Sequence, residues 1–315
     1  MSQEPRKTEP VISTHQQSDG YRSHYRRWGR SEGSDVLVYL HGGISHAGWQ
    51  APLGEAITAS SEVTFIALDR RGSGLNSEAR GHLISEEREV EDIASFLEAI
   101  GGSFRRVHLG GWCFGAQVAS IVAARLASRG VLTSLVLVAP GYVYTERYSD
   151  VLRLSMQAVS EVVKELGVTP EPLRAFVPVP LQTSDFTDKP QWLKFVEEDT
   201  LRLSRVTQST VKVWGELGDR SRSTLGELGG LPVLAVFGSR DRLVDLERTK
   251  AMLLERVHPA PTIELMSTHH ALHFEDPRAL ADLILRFISS QEPRLTAVAA
   301  SRPGVATATA QQRGA

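Results

Sequence analysis

The feature that most constrains this chain is a Gly-x-Cys-x-Gly motif placed between two apolar segments. The short run 107–109 leads into Gly111-Trp-Cys-Phe-Gly115, and a second, largely apolar segment extends over residues 116–127. This pattern predicts a strand, a sharp turn and a helix, with the thiol of Cys113 at the turn. Such a turn strains the backbone of its central residue, and the two glycines leave room for the strand and the helix to approach each other.

The composition argues against several classes of protein. The chain has 315 residues, of which 41% are hydrophobic, and this is enough for one large α/β domain with an insertion. Its formal net charge of −2 offers no electrostatic attraction for nucleic acid or for an acidic membrane surface. No apolar run is long enough to span a bilayer, and the polar residues 1–7 lack the apolar segment of a signal peptide. We therefore expect a cytoplasmic protein with no membrane span and no nucleic-acid partner.

Cys113 is the only cysteine in the chain. A disulfide within one chain and a metal site built from cysteines are therefore excluded. A single cysteine is often a small buried apolar residue, but the position of Cys113 between two glycines at a predicted strand–helix turn indicates a nucleophile.

Apolar strands alternate with amphipathic helices along most of the chain. Residues 11–15 and 21–28 flank the turn Ser18-Asp-Gly20, which predicts an antiparallel hairpin. The later alternation is typical of a doubly wound, mostly parallel β-sheet of the α/β class, because parallel strands need long crossovers. The predicted strands after the hairpin are 35–40, 63–68, 107–109, 134–139, 231–237 and 262–265, and the predicted helices are 52–59, 87–100, 116–127, 246–256 and 277–289.

The alternation is interrupted between residues 141 and 230, where aromatic residues and prolines accumulate. Helical character over 151–166 and 190–203 predicts an inserted helical cap in this stretch. Both ends of the chain lack the pattern of a packed core, so we expect them to be disordered. The expected organisation is a disordered N-terminus (1–10), an α/β core (11–140 and 231–290), a helical cap (141–230) and a disordered tail (291–315).

Candidate partners for the thiol follow two later strands. A cysteine nucleophile needs a base, and the base needs an acid that orients it. Asp241 follows the predicted strand 231–237, where the carboxyl end of a parallel strand would face the Cys113 turn. His269 and His270 follow the last predicted strand. The chain order is therefore nucleophile, acid, base.

Five motifs carry a resemblance to a known family. They are, in chain order, His41-Gly-Gly43, Asp69-Arg-Arg-Gly-Ser-Gly74, Gly111-Trp-Cys-Phe-Gly115, Gly238-Ser-Arg-Asp-Arg-Leu-Val-Asp245 and His270-Ala-Leu-His-Phe-Glu-Asp-Pro277. With these motifs, residues 11–290 resemble the α/β-hydrolase fold superfamily, and within it the monoacylglycerol lipase and lysophospholipase-like branch. The order nucleophile, acid, base is the order of that fold. Cysteine stands where the family usually has serine.

The resemblance implies a catalytic triad. Its members would be Cys113 as the nucleophile, Asp241 as the acid and His270 as the base. His269 occupies a position that is usually glycine, so it is the alternative base. The helix that follows Cys113 and the imidazole both favour a reactive thiolate–imidazolium pair.

Two backbone N–H groups are expected to form an oxyanion hole, because charge concentrates on one oxygen of a tetrahedral intermediate. One belongs to Phe114 and the other to Gly43. The candidate pocket residues are His46, Trp49, Trp112 and Tyr142, although His46 and Trp49 could instead pack under the cap. Expected supporting roles are His41 for the oxyanion loop, Asp69 for its own turn, Asp245 as a helix cap and His273 behind the site, whereas Arg70 and Arg71 are expected to be solvated.

The chemistry that this arrangement permits is acyl transfer to Cys113. We expect hydrolysis of a small-to-medium hydrophobic ester, lactone or thioester through an acyl-cysteine, and a carrier-bound thioester is one form of such a substrate. Two alternatives stay open. One is an acyltransferase or cyclase, in which an acceptor other than water takes the acyl group, and the other is a non-catalytic ligand-binding member of the fold. No cofactor and no metal is expected.

Overall fold

A computed structural model describes residues 9–154 and 175–291 of the chain. The expected disorder of residues 1–8 and 292–315 lies outside this part of the chain, as does the predicted helix 151–166 beyond residue 154. The strands are β1 (Val11–Gln16), β2 (Arg22–Trp28), β3 (Gly33–Leu40), β4 (Thr64–Leu68), β5 (Phe104–Trp112), β6 (Ser134–Val138), β7 (Phe176–Pro178), β8 (Arg205–Thr207), β9 (Val233–Gly238) and β10 (Thr262–Met266). The helices are α1 (Ala51–Ser60), α2 (Glu86–Gly101), α3 (Phe114–Leu126), α4 (Pro190–Glu198), α5 (Gln208–Ser223), α6 (Leu246–Arg256), α7 (Leu272–Glu275) and α8 (Pro277–Ser289), and residues 146–154 are also helical.

The main sheet confirms the predicted α/β class. Eight strands lie in the order β1-β2-β4-β3-β5-β6-β9-β10. The β1–β2 and β2–β4 pairs are antiparallel, and every pair from β4 to β10 is parallel. All residues of β4 and β6 are buried, as the continuous apolar sequence of a central parallel strand requires. The carboxyl ends of β5, β9 and β10 therefore open onto the same edge of the sheet.

The opening hairpin follows from its turn. β1 pairs with β2 from Val11↔Arg27 to Gln16↔Arg22, as the turn signal predicted. Gly20 has a φ of 87°, which a residue without a Cβ adopts at little cost. The Asp19 carboxylate accepts a hydrogen bond from the backbone N–H of Tyr21, which closes the turn.

Short polar side chains cap three of the five predicted helices. Ser85 accepts a hydrogen bond from the backbone N–H of Arg88 and caps α2. Asp245 accepts from the backbone N–H of Arg248 and caps α6, which confirms its expected role. Asp276 caps α8, whose first residue is proline.

The segment between β6 and β9 differs from the prediction in its details. α4 ends at Glu198 rather than near residue 203, because the next residue, Asp199, adopts an extended ψ of 109°. The backbone N–H of Leu203 then donates a hydrogen bond of 2.9 Å to the Ile44 oxygen. The pair β7–β8 and the helix α5 were not predicted individually, since two strands of three residues and a polar helix that contains two glycines leave little periodicity.

Candidate active site

Cys113 lies at the sharp turn between β5 and α3. Its backbone φ is 58° and its ψ is −121°, a conformation that non-glycine residues rarely adopt. A Cβ added to Gly111 would lie 2.3 Å from the Gly115 oxygen, and a Cβ added to Gly115 would lie 2.3 Å from the Leu40 oxygen. Lack of space therefore requires glycine at both positions, and the predicted strand, turn and helix are present.

Asp241 and His270 meet at the carboxyl ends of β9 and β10. The imidazole Nδ1 of His270 donates a hydrogen bond of 2.8 Å to the Asp241 carboxylate. The other oxygen of that carboxylate accepts hydrogen bonds from the backbone N–H groups of Leu243 (2.8 Å) and Val244 (3.0 Å). The acid is therefore held in place on one side by its own loop and faces the imidazole on the other.

The imidazole of His270 has one nitrogen available for chemistry. Nε2 is buried and has no hydrogen-bond partner among the described residues. Burial by itself would lower the pKa of His270, but the Asp241 carboxylate, with a further contribution from Cys113, raises this pKa to about 10. Cys113 is therefore close enough to His270 to affect its pKa. This arrangement can accept or deliver a proton beside Cys113.

His269, the alternative base, is held elsewhere. Its Nδ1 donates a hydrogen bond of 2.8 Å to the buried carboxylate of Glu275. Its Nε2 lies 3.0 Å from a carboxylate oxygen of Asp188. Both ring nitrogens therefore face carboxylates other than Asp241. Of the two neighbouring histidines, the structure brings only His270 together with Asp241.

The two residues expected to supply the oxyanion donors lie close to each other. A Cβ on Gly43 would be 3.9 Å from the Cβ of Phe114, and a Cβ on Gly42 would be 3.4 Å from the Cβ of Cys113. Phe114 is the first residue of α3, where backbone N–H groups have no acceptor within the helix. No hydrogen bond from the Gly43 N–H is formed within the described residues. Neither N–H group therefore has a hydrogen-bond acceptor among the described residues, and both belong to residues near Cys113.

The Gly42 carbonyl holds the oxyanion loop in place. It accepts hydrogen bonds from His41 Nδ1 (2.8 Å), Arg70 Nη2 (3.0 Å) and Ser45 Oγ (3.3 Å). His41 Nε2 accepts a hydrogen bond from the backbone N–H of Arg70, so the proton of the neutral ring is assigned to Nδ1. Burial lowers the pKa of His41 well below its ordinary value, which keeps the ring neutral. His41 therefore supports the loop as expected.

Arg70 and Arg71 are buried, so the prediction that they are solvated is wrong. Arg70 forms an ion pair of 2.7 Å with Glu89, and Arg71 forms one of 2.6 Å with Asp92. Glu89 and Asp92 are three residues apart on α2, so they lie on one side of that helix. The packing of α2 against the turn after β4, which local sequence does not reveal, therefore removes both guanidinium groups from water. Asp69 in the same turn is fully buried and accepts hydrogen bonds from the backbone N–H groups of Ala47 and Leu75.

His46 and Trp49 join the core to the segment that follows α4. His46 Nε2 and Trp49 Nε1 donate hydrogen bonds of 2.9 Å and 2.7 Å to the same carboxylate oxygen of Asp199. Both side chains are buried and bonded to the segment between β6 and β9, so they pack against that segment and do not form an open pocket wall. Trp112 and Tyr142 are also buried, and the Trp112 indole lies 5.2 Å from the His270 ring.

Three aromatic residues near the thiol were not singled out from the sequence. The Trp214 ring lies 5.6 Å from the Phe114 ring and close to Gly43. Burial raises the pKa values of Tyr144 and Tyr148, and their nearness to Cys113 raises these values further; the two rings are 5.1 Å apart. Only the richness of this segment in aromatic residues hinted at their position. Trp214 packs against Phe114, the residue that follows the proposed nucleophile.

His273 packs behind the site without a hydrogen bond. Its ring lies 4.6 Å from the Trp112 ring, and neither of its nitrogens has a partner within the described residues. Burial and the neighbouring His270 lower the pKa of His273 to about 3. The ring is therefore neutral.

The described residues contain neither a metal centre nor a membrane-spanning helix. No three His, Cys, Asp or Glu side chains within 9–154 and 175–291 are grouped so that they could hold a metal ion. No helix of the same residues is both long and apolar enough to cross a membrane.

The three-dimensional arrangement is similar to that of known lipases. A soluble variant of monoglyceride lipase from Saccharomyces cerevisiae, solved with a substrate analogue, superposes with a TM-score of 0.75 at 12% identity over 90% of this chain and 96% of that chain. The monoacylglycerol lipase of Paleococcus ferrophilus superposes with a TM-score of 0.66 at 19% identity over 84% of this chain and 99% of that chain. At these identities the likeness establishes the α/β-hydrolase fold.

Sequence comparison gives the family. The biotin biosynthesis bifunctional protein BioHC of Teredinibacter turnerae is 26% identical over 282 residues, which are 83% of this chain and 46% of that protein. The chain thus spans about half the length of this curated relative. Residues 31–277, which include β3, the cysteine turn, Asp241 and His270, match the family described as serine aminopeptidase, S33. The chain therefore belongs to the serine aminopeptidase S33 family of the α/β-hydrolase fold, with a cysteine at its strand–helix turn.

Proposed function

We propose that this protein is an acyl hydrolase in which Cys113 is the nucleophile, His270 the base and Asp241 the acid. The observation that carries the proposal is the hydrogen bond of 2.8 Å between His270 Nδ1 and Asp241, together with an Nε2 that has no partner among the described residues and the strained backbone of Cys113. A carboxylate bound to Nδ1 keeps the proton on that nitrogen, so that Nε2 can act as the base. The family match and the lipase-like fold support hydrolysis of an acyl bond.

The proposed reaction has two halves. His270 Nε2 takes the thiol proton, the Cys113 sulfur attacks the carbonyl carbon, and the negative oxygen lies against the N–H groups of Gly43 and Phe114. The intermediate collapses, the imidazolium gives its proton to the leaving alcohol or thiol, and an acyl-cysteine thioester is formed. A water then loses a proton to His270 and attacks the thioester carbonyl. The bond to the Cys113 sulfur breaks, the imidazolium returns the proton to that sulfur, and the free acid leaves.

The nucleophile favours certain substrates over others. A thiolate leaves the tetrahedral intermediate more easily than an amine does, so esters, lactones and thioesters suit Cys113 better than amides. The rings of Phe114, Tyr144 and Trp214 next to the site suit a hydrophobic acyl group. The similarity to monoglyceride lipases supports an ester of small-to-medium size.

Acyl transfer to an acceptor other than water is the second candidate function. The observation that favours it is the enclosure of the site, since Cys113 is 9% exposed and His270 is fully buried. A thioester that is shielded from water survives longer and reacts readily with amines and thiols. A carrier-bound thioester and a cyclisation both belong to this candidate.

Intact-mass spectrometry with p-nitrophenyl acetate tests the proposed nucleophile and base. We expect the wild type to gain one acetyl group at Cys113, and both Cys113→Ala and His270→Ala to remain unlabelled. His269→Asn is the matched comparison and should still be labelled, because its ring contacts Glu275 and Asp188 instead of Asp241. A wild type that neither gains an acetyl group nor releases p-nitrophenolate faster than Cys113→Ala would support the non-catalytic alternative.

The acceptor is tested by turnover of the acetyl-enzyme. Release of acetate in water alone supports hydrolysis. An acetyl-enzyme that is stable in buffer but is discharged by added amines, thiols or alcohols to acetylated products supports the acyltransferase. Cys113→Ser reports what the thiol contributes, since a serine variant with a higher rate of ester hydrolysis would assign the cysteine to selectivity.

A further inference from the structure

We propose that Arg70 is a positioning residue of the oxyanion hole. Its guanidinium holds the peptide between Gly42 and Gly43 so that the N–H of that peptide points at the reacting oxygen. The inference rests on the proposed acyl transfer at Cys113. It assigns a function to a side chain that lies outside the triad and touches no reacting atom.

The first support is the geometry of one peptide unit. Arg70 Nη2 donates a hydrogen bond of 3.0 Å to the Gly42 oxygen. The Gly42 carbonyl and the Gly43 N–H belong to the same planar peptide, so holding the one fixes the direction of the other. A charged donor on the carbonyl also polarises the peptide and makes its N–H a stronger donor. Arg70 thus acts on the Gly43 N–H from the opposite side of the peptide.

Two further contacts of Arg70 lead to the same small region. Its guanidinium carbon lies 5.1 Å from the centre of the Phe114 ring, and Phe114 carries the second expected oxyanion donor. Its backbone N–H donates to His41 Nε2 at 3.1 Å, and His41 in turn donates to the Gly42 oxygen. Arg70 therefore contacts the Gly42 carbonyl, the Phe114 ring and the imidazole of His41.

Stability alone is a poor explanation for this buried arginine. The side chains of Arg70 and Glu89 are 2% and 1% exposed, so both charges have lost most of their hydration. Arg70 Nε and one Glu89 oxygen have no hydrogen-bond partner among the described residues, and burial raises the pKa of Glu89. A buried ion pair with unsatisfied atoms is often no more stable than an apolar pair of similar size.

Arg71 provides a matched control one residue away. It is also buried, and it pairs with Asp92 and Asp19 at 2.6 Å and 3.0 Å. Its guanidinium stacks on Tyr21, 3.9 Å from the ring centre, and its side-chain hydrogen bonds within the described residues go to Asp92 and Asp19, not to Gly42. Arg71→Met therefore removes a buried guanidinium of the same kind but leaves the hydrogen bond from Arg70 to Gly42 in place.

The test compares two reactions of the same thiol. Acetylation of Cys113 by p-nitrophenyl acetate develops an oxyanion, whereas its disulfide exchange with methyl methanethiosulfonate does not. We expect Arg70→Met to slow acetylation about 10-fold or more, which is less than the roughly 100-fold or greater effect of losing an oxyanion donor outright. Disulfide exchange should stay within about 2-fold of the wild type, as should both reactions of Arg71→Met. Because Arg70→Met leaves Glu89 unpaired, Arg70→Met/Glu89→Leu replaces the whole ion pair with apolar side chains and should show the same selective loss.

Each other outcome contradicts the inference in a distinct way. Equal acetylation rates in the wild type and both Arg70 variants would overturn the positioning role alone. An equal loss of both reactions, or the same loss in Arg71→Met, would show a general effect on folding and would overturn it too. A wild type that undergoes disulfide exchange but no acetylation would overturn the proposed function and this inference together.

Discussion

The indole Nε1 of Trp112 donates a hydrogen bond of 2.8 Å to the backbone oxygen of His270. Trp112 is the last residue of β5 and directly precedes Cys113. The side chain next to the proposed nucleophile therefore holds the loop that carries the proposed base. This contact joins the ends of β5 and β10, which are separated in the sheet by β6 and β9.

Trp112→Phe should remove the hydrogen bond that couples Trp112 to the loop of His270, while keeping an aromatic ring in place. We expect acetylation of Cys113 to slow roughly 10-fold, because the base loses its fixed position. The free energy of unfolding should fall by about 1–3 kcal/mol, since the His270 oxygen stays buried without its donor. Trp28→Phe is the control, because Trp28 is equally buried and its Nε1 has no partner among the described residues. Similar acetylation rates in the two variants would contradict the coupling.

Comparing Asp241→Asn with Asp245→Asn should distinguish the proposed catalytic acid from a helix-capping carboxylate in the same loop. The amide cannot stabilise an imidazolium and can force the wrong tautomer on His270, so acetylation should slow by about 100-fold or more. The pKa of His270 should fall from about 10, because the Asp241 charge raises it. Asp245→Asn should change the acetylation rate less than about 2-fold, since asparagine caps a helix as well as aspartate does. The burst of p-nitrophenolate release measures the acetylation rates of the two variants.

Gly115→Ala should destabilise the whole fold. The added Cβ would lie 2.3 Å from the Leu40 oxygen and 2.5 Å from the His41 oxygen, which are backbone atoms that cannot move aside. We expect a loss of about 3 kcal/mol or more in the free energy of unfolding. In Gly215→Ala, within α5, the added Cβ meets no described atom within 4 Å outside its own helix backbone, so the free energy of unfolding should instead rise by about 0.5–1 kcal/mol. Urea denaturation of the two variants checks the contrast, and a stable Gly115→Ala protein would argue against the observed turn.

His273→Leu should make the protein less sensitive to acid. The pKa of His273 is lowered to about 3 in the folded chain from an ordinary value of 6.5. Between these two values the unfolded chain binds a proton at this site that the folded chain does not, so stability decreases as the pH falls. The loss of unfolding free energy between pH 7 and pH 5 should be about 2 kcal/mol smaller in the variant. Urea midpoints at the two pH values measure it, and an unchanged loss would place the acid sensitivity at other histidines.

The sheet could be predicted because its strands can be recognised from their local sequence alone. Continuous apolar runs such as 35–40 and 134–139 have few places to lie other than the centre of a parallel sheet, and the structure puts them there. The segment between β6 and β9 could not be predicted in the same way. Its α4 ends where the Asp199 carboxylate accepts hydrogen bonds from His46 and Trp49, about 150 residues earlier in the chain. A contact of that range leaves no trace in local periodicity.

The cysteine turn and the order of Cys113, Asp241 and His270 along the chain follow from local sequence. Short-range sterics are responsible for the turn, which needs glycines at fixed positions, and Asp241 and His270 each come within four residues of the end of an apolar strand. Local sequence does not reveal that Asp241 bonds to His270 and not to His269, or that Arg70 is buried against Gly42. These choices depend on how β10 and α2 pack against other elements. Burial and charge pairing between residues distant in sequence, rather than local conformation, therefore settled the arrangement around Cys113.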